Sequence, residues 1–195
     1  MTTVLVPLAQ GCEELEAITI IDILRRAKIT VVSAGLDDQP VIASRKVKLI
    51  PDTTLDAVFN DDFDMIVLPG GLPGADNLNA DPRIHQLLKK MNAEGKFIAA
   101  ICAAPKILAE AGLLHNKQIT YYPGALSSTH THETQPRLEH PVVRDGTIIT
   151  SRGPGTAIDF AMALVEALVG EKIRRSVEQG LVRTVEASLI RPDIE

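Results

Sequence analysis

The sequence predicts an α/β domain, with a mostly parallel central sheet and helices on both faces. Two observations lead there. Short apolar runs alternate with segments of helical periodicity along the chain. The 195 residues are 45% apolar and 23% charged, which suits one domain with a sizeable core. No internal repeat, low-complexity tract or linker divides residues 1–195. Aromatic residues make up only 3% and Trp is absent, so the core must be aliphatic.

Taken in order, "TVLVPLA" (Thr3 to Ala9) reads as a buried strand. "EELEAITIIDILRRA" (Glu13 to Ala27) repeats apolar residues at helical spacing, among them Ala17, Ile21 and Leu24. "TVVSAG" (Thr30 to Gly35) is a second strand, and "DMIVLPGG" (Asp64 to Gly71) a third that ends in glycines. "PRIHQLLKKMNAEG" (Pro82 to Gly95) has the Pro-first, Gly-last signature of a helix. "KFIAAI" is the next strand, and "APKILAEAG" (Ala104 to Gly112) the helix after it. "VVRDGTIIT" (Val142 to Thr150) reads as a hairpin, because Asp145-Gly146 favours a tight turn. "GTAIDFAMALVEALVG" (Gly155 to Gly170) reads as a long buried helix.

The bulk numbers narrow the function. A net charge of −5 and a pI near 5.6 argue against a dedicated nucleic-acid site. No apolar stretch approaches the roughly 20 residues that span a bilayer. The first residues, "MTTVLVPLAQ", lack a basic leader and run directly into a strand, so a cytoplasmic protein is expected. Two distant cysteines do not make a disulfide scaffold.

In a parallel α/β sheet, ligands sit beyond the carboxyl ends of the strands. At that edge the sequence places "QGCEELE", "PGGLPGADN", "SRGPGT" and Cys102, which ends the "KFIAAI" strand. Cys102 is either an inert buried thiol or a nucleophile on a strand-to-helix turn, its pKa lowered by the first N–H groups of the helix. Glu13, Glu14 and Glu16 share a helix start, where carboxylates commonly offset the helix dipole. If its face turns inward, Glu16 becomes a buried carboxyl of raised pKa, able to exchange protons with a thiolate. The glycine loops could cradle an anion or form an oxyanion hole, but "GPGTAI" puts Ile158 where a dinucleotide fingerprint wants Gly, and there is no P-loop. Five histidines are present, and "STHTHET" (with His130 and His132) lacks a third ligand at zinc spacing, so it reads as a solvated loop and no metal is expected.

Four stretches together, "GCEELEAITIIDILRRA", "VLPGGLPGADNL", "AAICAAPKILAEAGLL" and "TSRGPGTAIDFAMALVEALVG", resemble the ThiJ/PfpI superfamily, in the branch of bacterial YajL and the parkinsonism-associated deglycase. They stand in the family's order and span most of residues 3 to 182. The resemblance implies a flavodoxin-like three-layer sandwich and a homodimer. It matches Cys102 to the reactive cysteine, Glu16 to the protonated glutamate beside it, and Gly71 and Ala103 to backbone N–H donors near the sulfur. Gly70 stands beside them. Arg45 and Arg152 match arginines near the dimer-side pocket wall, and Arg25 and Arg26 follow the dimer-facing pattern of the first helix. Two departures stand out: Ala103, where a protease-like branch has His, and Tyr122 before Pro123, where the human-like branch has His. The segment after residue 182 runs past the matched region.

The implied function is cofactor-free chemistry on α-oxoaldehydes such as methylglyoxal, or on their early glycation adducts. The alternatives are a redox-sensing stress protein or chaperone that uses the same thiol, and a cysteine peptidase or amidase, which would need a histidine base. Cys12, in the loop after the first strand, either fills a turn or acts as a resolving thiol for Cys102.

Overall fold

The apolar runs become the strands β1 (Thr3–Leu8), β2 (Thr30–Gly35), β6 (Met65–Leu68), β7 (Phe97–Ile101), β8 (Val142–Asp145) and β9 (Ile148–Ser151). The computed structural model describes residues 1–126 and 137–183. A two-residue strand, β5 (Thr53–Thr54), completes a sheet with the order β5-β2-β1-β6-β7-β9-β8. Every neighbouring pair is parallel except β8 and β9. Strands covered on both faces need apolar residues throughout rather than in alternation. Hence all of "MIVL" and nearly all of "FIAAI" is buried. A separate hairpin pairs β3 (Val41–Ile42) with β4 (Lys48–Leu49).

The helices are α1 (Glu14–Arg26), α2 (Leu55–Val58), α3 (Gly74–Ala80), α4 (Pro82–Ala93), α5 (Pro105–Glu110), α6 (Ala157–Val169) and α7 (Glu171–Gly180). From β1 the chain crosses outward through α1 to β2, then returns to the other side of β1 as β6 and continues through α4 to β7. Right-handed crossovers running in opposite directions put their helices on opposite faces, so α1 covers one face and α4 the other. α6 packs beside α1. The expected three-layer α/β sandwich is therefore the observed fold.

The reversal at β1 and β6 opens a crevice at their carboxyl ends, the usual ligand position in such sheets. The local sequence widens it. Pro7 has no N–H to give a neighbouring strand, and the β1–β6 register covers only Val4–Met65 and Leu5–Ile66. The third strand was expected to reach Gly71 but stops at Leu68, because Pro69, Gly70 and Gly71 leave the sheet to line the crevice. The long helix expected from Gly155 starts with a separate 3-10 turn, Pro154–Thr156, before α6.

Candidate active site

Cys102 follows β7 directly and takes a left-handed backbone conformation, with φ at +64°. A residue with a Cβ is rarely found there and must be held by its surroundings. Two bonds hold it. The Cys102 N–H donates to the Ser151 carbonyl at 3.0 Å, and the Tyr122 N–H donates to the Cys102 carbonyl at 2.9 Å. The side chain is thereby raised off the strand end, and the residue remains only 8% exposed.

Two backbone N–H groups, those of Gly71 and Ala103, act on the Cys102 sulfur and favour its ionised form. The sequence expectation needs a correction here. It assigned thiol acidity to a helix N-terminus, yet α5 starts only at Pro105 and is six residues long. The donors belong to the turn instead. Burial, and then the charge of Glu16 when that group is ionised, push the Cys102 thiol up to about 12, against the pull of the two N–H groups. Protonation of Glu16 removes that charge, but burial still opposes the thiolate, so the thiol is raised and not lowered as the sequence suggested.

Glu16 is wholly buried in the first turn of α1. Its Oε2 accepts the Gly70 N–H at 2.8 Å. Oε1 has no well-aligned partner, and the Cys102 thiol is the polar side chain that acts on this carboxyl. Burial, outweighing the Gly70 and Cys102 hydrogen bonds, raises Glu16 to about 7. Near neutrality the thiol therefore keeps its proton, and the carboxyl is the group that gains and loses one. Gly70 makes their approach possible, because a Cβ there would stand 2.6 Å from the Cys102 Cβ and 2.9 Å from Glu16 Oε2.

The neighbouring acids do other work. Glu13 is the N-cap of α1, and the Ser44 hydroxyl lies 2.7 Å from Glu13 Oε2 and 2.8 Å from Glu14 Oε2. The Arg45 N–H donates to Glu14 Oε1 at 2.8 Å. These bonds fasten the β3–β4 hairpin to α1. The Arg45 side chain itself is exposed and does not line the cavity by the sulfur. Of the two arginines matched to the dimer-facing pattern, Arg25 is bound to Asp52 and the Val31 carbonyl, and Arg26 to Asp22. Leu15 and Ile18 are the apolar residues of α1 that remain exposed.

Cys12 is wholly buried, and burial with the charges of Glu14 and Glu13 pushes its thiol up to about 12. The Gly70–Gly71 backbone comes between the two cysteines: a Cβ on Gly70 would meet Cys102, and one on Gly71 would meet the Cys12 carbonyl carbon at 2.8 Å.

Beside the sulfur lies a cavity of about 330 Å³ lined by Tyr122, Pro123, Arg152, Gly153, Pro154, Gly155 and Thr156. Gly153 connects it to the thiol, since a Cβ there would sit 3.8 Å from Cys102 Sγ. A larger cavity, about 430 Å³, has Gln10, Asp37, Asn77 and Asp81 on its walls; Cys102 and Glu16 line neither cavity, and Gly153 is what brings the smaller one to the thiol. The "SRGPGT" loop was expected at the same edge as Cys102, and the pairing of β9 with β7 is what brings Gly153 to the thiol. His130 and His132 lie outside the described residues. Among the described residues no histidine acts on the Cys102 thiol.

The pattern of the DJ-1/PfpI family matches residues 2–167, which include both Cys102 and Glu16. The chain belongs to the DJ-1/PfpI family. It is 46% identical over 171 residues to Protein DJ-1 homolog B of Arabidopsis thaliana, covering 87% of this chain but only 38% of that longer protein. It is 36% identical to the glutathione-independent glyoxalase DJR-1.2 of Caenorhabditis elegans, over 86% of this chain and 89% of that one. The crystal structure of Drosophila melanogaster DJ-1beta superimposes with a TM-score of 0.89 at 41% identity, covering 94% of this chain and 99% of that chain. Among the described residues, no helix is long and apolar enough to cross a membrane.

Proposed function

We propose that this DJ-1/PfpI protein is a cofactor-independent enzyme that converts α-oxoaldehydes such as methylglyoxal, free or as early glycation adducts, to hydroxy acids. The observation that carries the reading is the shared position of the Cys102 thiol and the buried Glu16 carboxyl, with two backbone donors on the sulfur. The name of the C. elegans relative agrees with it.

The Glu16 carboxylate takes the Cys102 thiol proton as the sulfur adds to the aldehyde carbon, the C=O electron pair moves to oxygen, and Glu16 returns the proton there to give a hemithioacetal. The Gly71 and Ala103 N–H groups, already aimed at the sulfur, steady the oxyanion on the adjoining carbon. Glu16, now a carboxylate, removes the C–H proton from the former aldehyde carbon, and an enediol forms. Return of the proton to the neighbouring carbon leaves a thioester. The aldehyde carbon has been oxidised and the ketone carbon reduced, so no external redox partner is needed. Water then cleaves the thioester to the hydroxy acid and restores the thiol.

The test is lactate formation from methylglyoxal by purified wild-type protein beside Cys102→Ser. Many turnovers in the wild type and none in the variant are expected. A single peroxide-driven mass change at Cys102 without turnover would favour the redox-sensor reading, in which a neutral Glu16 hydrogen-bonds an oxidised sulfur. The same proposal includes a homodimer.

A further inference from the structure

We infer that Tyr122 is a specificity-determining residue whose ring selects α-oxoaldehydes that carry a flat apolar group, an aryl-substituted oxoaldehyde in preference to methylglyoxal. This rests on the proposed oxoaldehyde activity and names its substrate class. The ring is placed for the task. The Tyr122 N–H is tied to the Cys102 carbonyl at 2.9 Å, so the tyrosine is anchored to the residue that carries the nucleophile. Its ring packs on Gly153, where a Cβ would be 3.3 Å from Tyr122 Cδ2 and 3.8 Å from Cys102 Sγ. One glycine therefore keeps open the space between ring and sulfur. The ring is 52% exposed, whereas the adjacent Tyr121 points into the core, so Tyr122 has a face free for a ligand.

The rest of the wall suits the same ligand. Pro123 and Pro154 add apolar rings to the lining. The cationic group, Arg152, pairs with Glu139, 3.1 Å away, a carboxylate that Arg137 shares, so the charge lies at the cavity rim and the ring-lined wall is left to the apolar group. Volume points the same way. At about 330 Å³ the cavity reaches the size of pockets that hold drug-sized ligands, which begin at about 300 Å³. A three-carbon aldehyde leaves most of that space unfilled, whereas an aryl group lies against the tyrosine face in an offset stack.

The experiment compares kcat/KM for phenylglyoxal and methylglyoxal in the wild type, Tyr122→Phe, Tyr122→Ala and Gly153→Ala. In parallel, the rate of Cys102 alkylation by N-benzyl iodoacetamide is divided by the rate with iodoacetamide, a readout that needs no turnover. The wild type is expected to favour the aryl compound in both. Tyr122→Ala should lower both ratios about tenfold, chiefly through KM in the turnover arm, and Tyr122→Phe should keep them. Gly153→Ala keeps the tyrosine side chain but sets a methyl group 3.3 Å from its ring and 3.8 Å from the sulfur, on a backbone of φ +159° that alanine rarely adopts. It should lower both ratios as well, which preserves the test if Tyr122→Ala does not fold. Aldehyde turnover with neither ratio moved by these variants overturns the inference and leaves the proposed activity standing. Alkylation ratios that move as expected in a protein that consumes no aldehyde support the subsite and overturn the activity.

Discussion

Glu16 is the residue on which both chemistry and pH dependence turn. Its buried carboxyl titrates near 7, above the ordinary 4.5. Below pH 4.5 folded and unfolded chains are both protonated, and its contribution to stability is fully present. Between 4.5 and 7 the unfolded chain has lost the proton that the folded chain keeps, so stability falls as pH rises, levelling above 7. Relative to Glu16→Gln, the wild type should lose roughly 3 kcal/mol between pH 4 and pH 8, measured by urea unfolding at each pH. In the same variant, oxoaldehyde turnover should drop by about 10²-fold or more, because Gln can donate a hydrogen bond but cannot carry a proton. Cys12 bears on oxidation. With its thiol buried and the Gly70–Gly71 backbone in the way, wild type and Cys12→Ser should form sulfinate at Cys102 equally fast under mild peroxide. A disulfide mass confined to the wild type would give Cys12 the resolving role. Cys102 and Glu16 could be picked out in the sequence because a strand end and a helix start locate them, whereas Gly71 and Ala103 came only with the family resemblance. The donors' true origin in a turn rather than a helix could not be picked out, since it depends on where α5 begins.

At the scale of elements, α7 is held by charges rather than by a hydrophobic stripe. Arg174, with a side chain only 7% exposed, bonds Glu178 on its own helix at 2.5 Å and has its Nε 2.6 Å from Glu166 of α6. Glu178 is equally buried. Arg174→Ala should destabilise the protein by about 3–5 kcal/mol in urea unfolding, because it leaves buried carboxylates unpaired. Arg174→Met combined with Glu178→Leu should recover much of that loss. The same chemistry explains why α7 escaped the sequence reading. Its buried face is Arg174, Val177 and Glu178, so the apolar period that marks α1, α4 and α6 is missing. The seven residues of α3 include a glycine and two asparagines, weak helix formers, and β3, β4 and β5 are two residues each, too short to show a pattern.

For the whole molecule, the apolar Leu15 and Ile18 of α1 each stand about half exposed. A second copy that buries this face should give a dimeric mass in sedimentation at micromolar concentration, and Ile18→Glu should shift it toward monomer. A monomeric mass for the wild type would remove the homodimer from the proposal. The proposed catalytic pair depends on no such partner, because β1, β6 and β7 of one chain bring its parts together.

The left-handed backbone at Cys102 has a consequence for how the protein could be improved. Elsewhere in a folded element, glycine is less stable than alanine by about 0.5–1 kcal/mol. At position 102 the order should invert. A Cβ at φ +64° is itself unfavourable by roughly 1–2 kcal/mol, and glycine relieves it. Cys102→Gly should therefore melt at or above Cys102→Ala, by up to about 1 kcal/mol, although neither retains a nucleophile. A library sorted for heat resistance alone would accumulate glycine at this position and discard the thiol, so thermostability and reactivity must be screened together.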